Sequence, residues 1–395
     1  MEELKPKIVY LLPGGLSNSG GMERVVTIKA NYLAEKMNYD VSIVTTEQIG
    51  TPVFYPLSPQ VHLYHLEIGI YVNFGKESYV EKLISRYKKI KEYKHALKKL
   101  LDDIRPDITI STLGLDIEFI NRLNDGSIKI GELHFPGNYR YLMARQMYHS
   151  PIPIFVEQVR TRKLRNDCKK LSRLVVLTKE ERMSWKNERN VEIIPNPLSF
   201  IPDKVSDCTA KKAIAVGRLV YEKGFDQLIE AWRIVHRTHP DWTLSIFGGG
   251  SQKEKLNALI RQYGLEPVIT IFDPVKDIHA EFLKHSVMLF PSRCLDALPM
   301  VLIEAMSCGL PLVAFDAPCG PKDIITDGEN GFLVKAGDIA ALSDKIIAMI
   351  ESETLRVSMG KAARTASYNY TEEKVMALWL QLFRELMNNQ SSWIN

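Results

Sequence analysis

The chain has 395 residues, of which 45% are hydrophobic and 25% charged, with a net charge of +4. This composition is ordinary for a soluble protein, and the length is natural for two domains with separate cores. No apolar run reaches the roughly 18 residues of a membrane-spanning helix, and Met1–Lys7 lacks the apolar segment of a signal peptide. Five scattered cysteines without a C-x-x-C pair indicate reduced thiols, so we expect a cytoplasmic protein.

The positive charge is concentrated in the first half of the chain. Residues 1–200 contain 30 Lys/Arg and 23 Asp/Glu, whereas residues 201–395 contain 21 and 24. The excess lies in residues 76–105 and 160–173, which are either solvated helix faces or a basic surface for an anionic membrane or a phosphorylated acceptor. No nucleic-acid recognition module accompanies this charge, so we expect no nucleic-acid partner.

Short apolar strands alternate with helical stretches in both halves. This alternation is typical of parallel sheets with helices on both faces, and it predicts two doubly wound, Rossmann-like α/β domains. The predicted strands are Lys7–Leu12, Asp40–Thr45, Ile108–Thr112, Ile128–Leu133, Arg173–Leu177 and Val191–Ile194 in the first half, and Lys212–Val216, Thr243–Phe247, Val268–Phe272, Val287–Phe290, Leu312–Phe315 and Gly331–Val334 in the second.

The domain boundary is predicted at the Pro195-Asn196-Pro197 segment, where two prolines make a stiff, extended joint. We therefore expect an N-terminal domain over residues 1–196 and a C-terminal domain over 197–370. The last helix, from Thr371 to about Asn388, carries an apolar stripe at helical spacing, formed by Val375, Leu378, Trp379, Leu382, Phe383 and Leu386. We expect residues 371–395 to pack back on the first domain.

A glycine-rich segment, residues 13–24, follows the first strand and opens a helix at Gly20 and Gly21. Glycines allow an anion to approach the backbone, and a helix N-terminus offers free N–H groups, so the segment has the features of a phosphate site. It lacks the G-x-G-x-x-G spacing of a dinucleotide site. The alternative is a flexible connection between strand and helix.

The first strand of the second half is followed by a loop, residues 216–225, that contains Arg218 and Lys223. A guanidinium and an ammonium five residues apart at a strand end can converge on a diphosphate. The alternative is that both are unrelated surface charges.

The segment from Pro291 to Pro311 is the most informative one. Pro299 suits a first helical position and Gly309 a helix stop, which predicts a helix of about ten residues. The N–H groups at its start, in the stretch Leu298, Pro299, Met300 and Val301, would be free to bind an anion.

Two carboxylates belong to the same segment. Glu304 interrupts an apolar run and needs a polar partner, for which a ribose diol is suitable. Asp296 precedes the helix and could accept hydrogen bonds from sugar hydroxyls. The alternative is a capping aspartate and a glutamate at the rim of the core.

Together these motifs resemble the retaining glycosyltransferases of family 4, whose GT-B fold sets two Rossmann-like domains on either side of a cleft that binds the donor. The resemblance covers nearly the whole chain and is thinnest between Val53 and Lys129. Its matching motifs are Gly-Gly-Met-Glu-Arg (20–24), Gly-Arg-Leu with Glu-Lys-Gly (217–224), the run 291–311, and the stretches 320–325 and 327–334.

The resemblance also assigns individual residues. It implies that Glu304 binds the ribose and that His134, after a first-domain strand, donates or accepts a hydrogen bond at the donor sugar without acting as a base. Asp296 stands where the family has a glutamate, so that contact is one methylene shorter. Gly249, in a Gly-Gly-Gly turn, lies near the donor or simply makes a tight turn.

The implied activity is transfer of a sugar from a nucleoside diphosphate sugar, expected to be a UDP-sugar, to an acceptor hydroxyl in polysaccharide or glycolipid biosynthesis. The acceptor, a saccharide or a lipid-linked saccharide, is expected on the first domain. We expect no cofactor beyond the donor. Catalysis would need neither a protein base nor a metal, since the leaving phosphate takes the acceptor proton and H-E-x-x-H and D-x-D motifs are missing.

Two other functions are compatible with the same residues. A non-catalytic partner subunit with a degenerate site would explain Asp296, and a nucleotide-sugar epimerase would share the fold. A G-x-S-x-G motif is missing, which argues against an α/β-hydrolase. If the acceptor is lipid-linked, we expect a peripheral position on the inner face of the plasma membrane.

Overall fold

The computed structural model describes residues 5–18, 20–47, 50–69, 79–147, 151–186, 188–293, 297–318 and 320–391. Their contacts divide the chain into two compact units. The first unit comprises Met1–Leu177, Glu181–Pro197 and Val375–Asn395, and the second comprises Thr178–Glu180 and Leu198–Lys374.

The described part of the first unit is built on a seven-stranded sheet in which all neighbouring strands run parallel. Its strands are β1 (Lys7–Leu12), β2 (Asp40–Thr45), β3 (Val61–His65), β4 (Ile108–Ser111), β5 (Ile128–Leu133), β6 (Arg173–Val176) and β7 (Val191–Ile193). They are arranged in the order β3-β2-β1-β4-β5-β6-β7. The order reverses between β1 and β4, which makes this position the topological switch point.

The second unit has a six-stranded parallel sheet in its described residues. Its strands are β8 (Lys212–Val216), β9 (Thr243–Phe247), β10 (Ile269–Phe272), β11 (Val287–Phe290), β12 (Leu312–Asp316) and β13 (Gly331–Lys335). Their order is β10-β9-β8-β11-β12-β13, with the switch point between β8 and β11. The prediction of two doubly wound parallel domains is confirmed.

All the predicted strands are present, each to within one residue at either end. The sequence prediction omitted β3. This strand lies at the sheet edge, only its first residue Val61 is buried, and two of its five residues are histidines. Its strand conformation depends on pairing with β2 and not on an apolar pattern of its own.

Helices cover both faces of each sheet. They are α1 (Gly21–Glu35), α2 (Tyr79–Ile104), α3 (Tyr139–Met147), α4 (Pro151–Cys168), α5 (Lys179–Ser184), α6 (Phe225–Thr238), α7 (Lys253–Gln262), α8 (Ile278–Phe282), α9 (Met300–Ser307), α10 (Pro321–Ile324), α11 (Ile339–Glu351), α12 (Glu353–Ser367) and α13 (Glu372–Ser391). Within the described ranges, none of them is both long and apolar enough to cross a membrane.

The last helix, α13, belongs to the core of the first unit. Trp379 and Phe383 are buried in one cluster with Tyr10 of β1 and Leu33 of α1. Each such large side chain contributes about 1.5–3 kcal/mol by leaving water. The predicted stripe is correct except at Leu378, which is 42% exposed; the helix instead buries Met376 beside Val375.

A buried carboxyl group lies beside the switch point of the first sheet. Asp116 follows β4, is almost fully buried, and accepts a hydrogen bond from the Ser111 hydroxyl. Burial raises the pKa of Asp116 to about 6. The hydrogen bonds that its carboxyl group accepts, from Ser111 and from the backbone, lower the pKa by less than burial raises it. The folded protein therefore binds this proton more tightly than the unfolded chain, and its stability falls as the pH rises from about 4 to about 6.

We predict that Asp116→Asn removes this part of the pH dependence, because an amide is neutral at every pH. Relative to the parent, the variant should gain on the order of 2 kcal/mol of stability between pH 4 and pH 7. Urea unfolding of both proteins at several pH values measures the difference. If it stays constant from pH 4 to pH 7, Asp116 does not titrate in this range.

Candidate functional site

The carboxyl edge of the second sheet brings two of the predicted motifs together. The loop after β8 holds Arg218 and Lys223, and the loop after β11 leads into α9. Because β8 and β11 are parallel neighbours, both loops emerge at the same edge, beside the topological switch point. In open α/β sheets this crevice is where ligands bind.

Gly224 fixes the distance between these two loops. A Cβ atom at this position would lie 2.0 Å from the carbonyl oxygen of Pro291, and the residue has a φ of +68°. Any other side chain would clash with the backbone and strain the turn. The Glu-Lys-Gly sequence therefore places Lys223 directly beside the end of β11, where its Nζ lies 5.7 Å from the centre of the Phe290 ring.

Arg293 ties the same loops together. Its guanidinium donates two hydrogen bonds to the Asp226 carboxylate, at 2.8 and 2.6 Å, and one to the carbonyl oxygen of Tyr221 at 2.6 Å. Its backbone N–H donates to the carbonyl oxygen of Glu222 at 2.8 Å. Because the planar guanidinium donates to both the Asp226 carboxylate and the Tyr221 carbonyl, it holds the β8 loop against the β11 loop.

The glycine turn after β9 packs on the β8 loop from the other side. Cβ atoms at Gly248 and Gly250 would lie 1.9 Å and 2.5 Å from the carbonyl oxygens of Gly217 and Leu219. Gly249 accepts a hydrogen bond from the Leu219 N–H at 2.9 Å. Gly249 is thus part of a tight turn that supports the Arg218 loop.

The predicted helix after β11 is α9, but it is shorter than expected and begins one residue later. Pro299 is the residue before the helix, with an extended ψ of 98°, and its carbonyl oxygen accepts from the Leu302 N–H at 3.0 Å. The N–H groups of Met300 and Val301 come before Leu302, the first residue that donates within the helix, so they are directed out of its N-terminus, next to buried Leu298. Arg218 is exposed at the same edge.

Glu304 lies in the second turn of α9 and is only 4% exposed. Its neighbours in the helix, Leu302, Ile303, Ala305 and Met306, are buried and apolar. A carboxylate in this setting requires hydrogen-bond donors. Asp296, the other carboxylate predicted for this site, lies outside the described residues.

The predicted phosphate loop of the first unit carries a negative group of its own. Gly20 precedes α1 and Gly21 is its first residue. The Glu23 carboxylate folds back over them, since a Cβ atom on Gly20 would lie 2.1 Å from Glu23 Oε2. Burial raises the pKa of Glu23, while its own backbone N–H and His134 lower it. An ionised carboxylate here would repel a phosphate bound at this helix N-terminus.

His134 follows β5 and its side chain is 4% exposed. Its Nε2 lies 3.4 Å from Oε1 of Glu132, whose other oxygen pairs with Lys29 of α1. Burial alone would raise the pKa of Glu132, but the neighbouring Lys29 and His134 side chains hold it at about 2. The sequence singled out His134 but not its two buried neighbours.

A cavity of about 450 Å³ lies at the edge of the first sheet beside the loops that follow β1 and β2, and His134 does not line it. Its lining residues come from the β1 loop and the segment after β2: Pro13, Gly14, Gly15, Ser17, Asn18, Glu47 and Thr51. It involves the first half of the glycine-rich segment and not Gly20 or Gly21.

No motif or spacing in the sequence pointed to the contacts of Arg293, Glu23 and the Lys29–Glu132 pair. Arg293 and Asp226 are 67 positions apart, and Lys29 and Glu132 are 103 apart, so no local pattern connects them. The only signal was a Lys within the apolar face of a helix and a Glu within an apolar strand. As for metals, the described ranges contain no cluster of three or more His, Cys, Asp or Glu side chains that could hold one.

Residues 200–366, which include every loop of the second-unit site, match the family model "Glycosyl transferases group 1". The amylovoran biosynthesis glycosyltransferase AmsD of Erwinia amylovora is 30% identical over 382 residues, which cover 94% of this chain and 98% of AmsD.

Two solved structures share the fold over nearly the whole chain. Sucrose-phosphate synthase from Thermosynechococcus elongatus superimposes with a TM-score of 0.80 at 18% identity, covering 98% of this chain and all of that one. S. aureus TarM, in complex with fondaparinux, alpha-GlcNAc-glycerol and UDP, gives 0.76 at 17% identity, with 96% and 99% covered. By its near full-length match to AmsD, its family model and its GT-B fold, the chain belongs to the group 1 glycosyl transferases.

Proposed function

We propose that this glycosyltransferase is a retaining enzyme of family 4 that takes its sugar from a nucleoside diphosphate sugar. The observation that carries the proposal is the group of loops after β8, β9 and β11, which are fixed against one another at the switch point. They bring Arg218, Lys223 and the N-terminus of α9 to one edge of one sheet.

Each chemical group of the donor is assigned to residues at this sheet edge. Its diphosphate lies against Arg218, Lys223 and the amides of Leu298, Met300 and Val301, which are positive or hydrogen-bond donors. Its ribose lies against Glu304, because one carboxylate can accept from both hydroxyls of a diol. By resemblance, Asp296 is assigned to the transferred sugar, and His134 of the first unit is assigned to a saccharide hydroxyl.

The reaction exchanges one bond at the anomeric carbon for another. The bond from C1 to the phosphate oxygen breaks, its electron pair goes to the leaving diphosphate, and C1 forms a bond to the acceptor oxygen on the same face. A phosphate oxygen takes the acceptor proton, so no protein base is required. Because negative charge grows on the diphosphate, Arg218 and Lys223 stabilise the transition state more than the ground state, and we assign no metal to this role.

The nucleotide and the acceptor are assigned by similarity. The TarM complex contains UDP, which supports a UDP-sugar donor. AmsD is named for the biosynthesis of amylovoran, which supports a saccharide or lipid-linked saccharide acceptor in polysaccharide or glycolipid assembly. We propose that the acceptor binds to the first unit.

Arg218→Ala or Lys223→Ala should each lower sugar transfer by at least about 100-fold, or roughly 2.7 kcal/mol of transition-state stabilisation. The physical reason is that each variant removes a positive charge from the site where negative charge develops. Steady-state transfer to a defined acceptor, with consumption of donor measured in parallel, gives the effect.

Lys255→Ala and Arg261→Ala serve as matched controls, because both residues are exposed on α7 of the same unit. Their transfer rates should equal that of the parent. Parent rates in Arg218→Ala and Lys223→Ala as well would overturn the diphosphate assignment. Conversion of the donor without any acceptor would instead identify an epimerase.

Glu304→Gln should weaken binding of UDP by about tenfold, since an amide accepts hydrogen bonds from the ribose less well than a carboxylate. Calorimetry with UDP and with 2′-deoxy-UDP separates this role from a structural one. The substitution should affect UDP more, because 2′-deoxy-UDP has already lost one of the two hydroxyls. An equal loss for both nucleotides would show that Glu304 supports the fold and not the ribose.

A second surface of the first unit supports a peripheral membrane position. On α4, Ile152 and Phe155 are 72% and 63% exposed, and Val159 continues the same face at helical spacing. The basic residues of α4 follow directly, and Lys163 shares the Glu118 carboxylate with Arg86 of α2. An exposed apolar stripe beside positive charge complements an anionic bilayer, so we propose that this face docks there.

Binding to vesicles should rise with the fraction of anionic lipid and fall with salt. The triple variant Arg160→Gln, Arg162→Gln, Lys163→Gln should bind at least tenfold more weakly, since each positive charge near the surface contributes about 1 kcal/mol. Lys204→Gln, Lys255→Gln, Lys276→Gln removes the same charge from exposed positions of the second unit and should bind like the parent. Equal partitioning of the parent onto neutral and anionic vesicles would refute the docking.

A further inference from the structure

Two buried charged residues in the first unit have no part in the proposed chemistry. Lys29 of α1 and Glu132 of β5 are almost completely buried, and Lys29 Nζ donates to Glu132 Oε2. Aromatic rings surround the ammonium: the centres of the Trp379 and Tyr10 rings lie 4.5 and 5.3 Å from Nζ. Taking both charges out of water is costly, and an apolar pair of the same size stabilises a core as well or better. The pair is therefore poorly explained by stability alone.

The geometry of the carboxylate connects this pair to His134. Oε2 of Glu132 is occupied by Lys29, while Oε1 lies 3.4 Å from Nε2 of His134. Because Lys29 and its aromatic neighbours fix one oxygen, the direction of the other is also fixed. Among the described residues, a second carboxylate, that of Glu23 on α1, also acts electrostatically on the imidazole.

A carboxylate beside one nitrogen of an imidazole selects the tautomer that carries its proton there. With the proton on Nε2, facing Glu132, the other nitrogen, Nδ1, keeps its lone pair. In this state His134 can accept a hydrogen bond from a hydroxyl group. Nε2 is buried and forms no hydrogen bond with the described residues, so the Glu132 carboxylate 3.4 Å away acts on it through its charge.

We propose that Lys29 and Glu132 are positioning residues, which hold His134 in one orientation with its proton on Nε2 and leave Nδ1 as an acceptor for a hydroxyl of the bound saccharide. This inference rests on the proposed function, in which His134 contacts the sugar. It assigns α13 a second role beyond packing, because Trp379 holds the ammonium that orients the carboxylate.

The decisive variant replaces both charges at once: Lys29→Met with Glu132→Gln. Removing a single partner would leave an unpaired buried charge and would unfold the unit, whereas the double replacement keeps size and removes both charges together. We expect it to fold with a thermal midpoint near that of the parent. Its kcat for transfer should fall at least tenfold, while its affinity for UDP, which is assigned to the second unit, should not change.

The tautomer is measured without any reaction. In the ¹⁵N-labelled protein, the two ring nitrogens of a neutral histidine have well separated shifts that report where the proton lies. The chain has nine histidines, so His134 is identified by comparison with His134→Gln. We expect the parent to show the proton on Nε2 and the double variant to show a mixture of both tautomers.

The outcomes separate this inference from the proposed function. If the double variant keeps the parent's tautomer and kcat, the pair is structural and the positioning role is wrong. If His134→Gln transfers sugar at the parent rate, His134 has no part in transfer and the assignment of its role in the proposed function fails instead. Loss of the Nε2 tautomer together with lower kcat and unchanged UDP affinity supports the positioning role.

Discussion

Parallel pairing of every described strand is the constraint on which the rest of this structure depends. Because neighbouring strands run in the same direction, each β-α loop of a unit emerges at one edge of its sheet, whatever its position in the sequence. The reversal of strand order between β8 and β11 then leaves a crevice between two loops that are about 70 residues apart in the chain. Charges and helix termini that the sequence keeps separate are thereby collected at a single site.

Close contact between the main chains of the loops after β8, β9 and β11 fixes the positions of the groups in this site. Glycines at positions 224, 248 and 250 let three loops touch through their main chains, and the Arg293 fork locks two of them with charge-assisted hydrogen bonds. A group that stabilises developing charge is effective only when it is already in place, because reorganising it during the reaction would cost the energy that it supplies. The rigid connections around Arg218 and Lys223 are thus as important to the proposed chemistry as the two charges.

The two units use charge differently. In the second unit the cations lie at a sheet edge, where Arg218 is exposed, so they can reach a ligand. In the first unit Lys29 and Glu132 are enclosed among aromatic side chains, and within the described part of the chain one carboxylate oxygen faces a further group, His134. A charge pair enclosed in this way cannot bind a diphosphate, but it can hold a neighbouring side chain in one direction.

The sequence by itself determined the fold class, every strand except β3, and the loops that carry the second-unit site. Apolar strands, and the Gly and Pro residues that end strands and helices, can be identified within short segments of sequence. It also singled out Arg218, Lys223, Glu304 and His134, because charged residues at strand ends or inside apolar runs need a partner. Only the tertiary structure decided that Glu23 covers the N-terminus of α1, that Arg293 pairs with Asp226, and that Lys29 lies against Glu132. Such pairings join residues from separate elements, and they depend on which strands become neighbours and which helix face turns inward, information that no short segment contains.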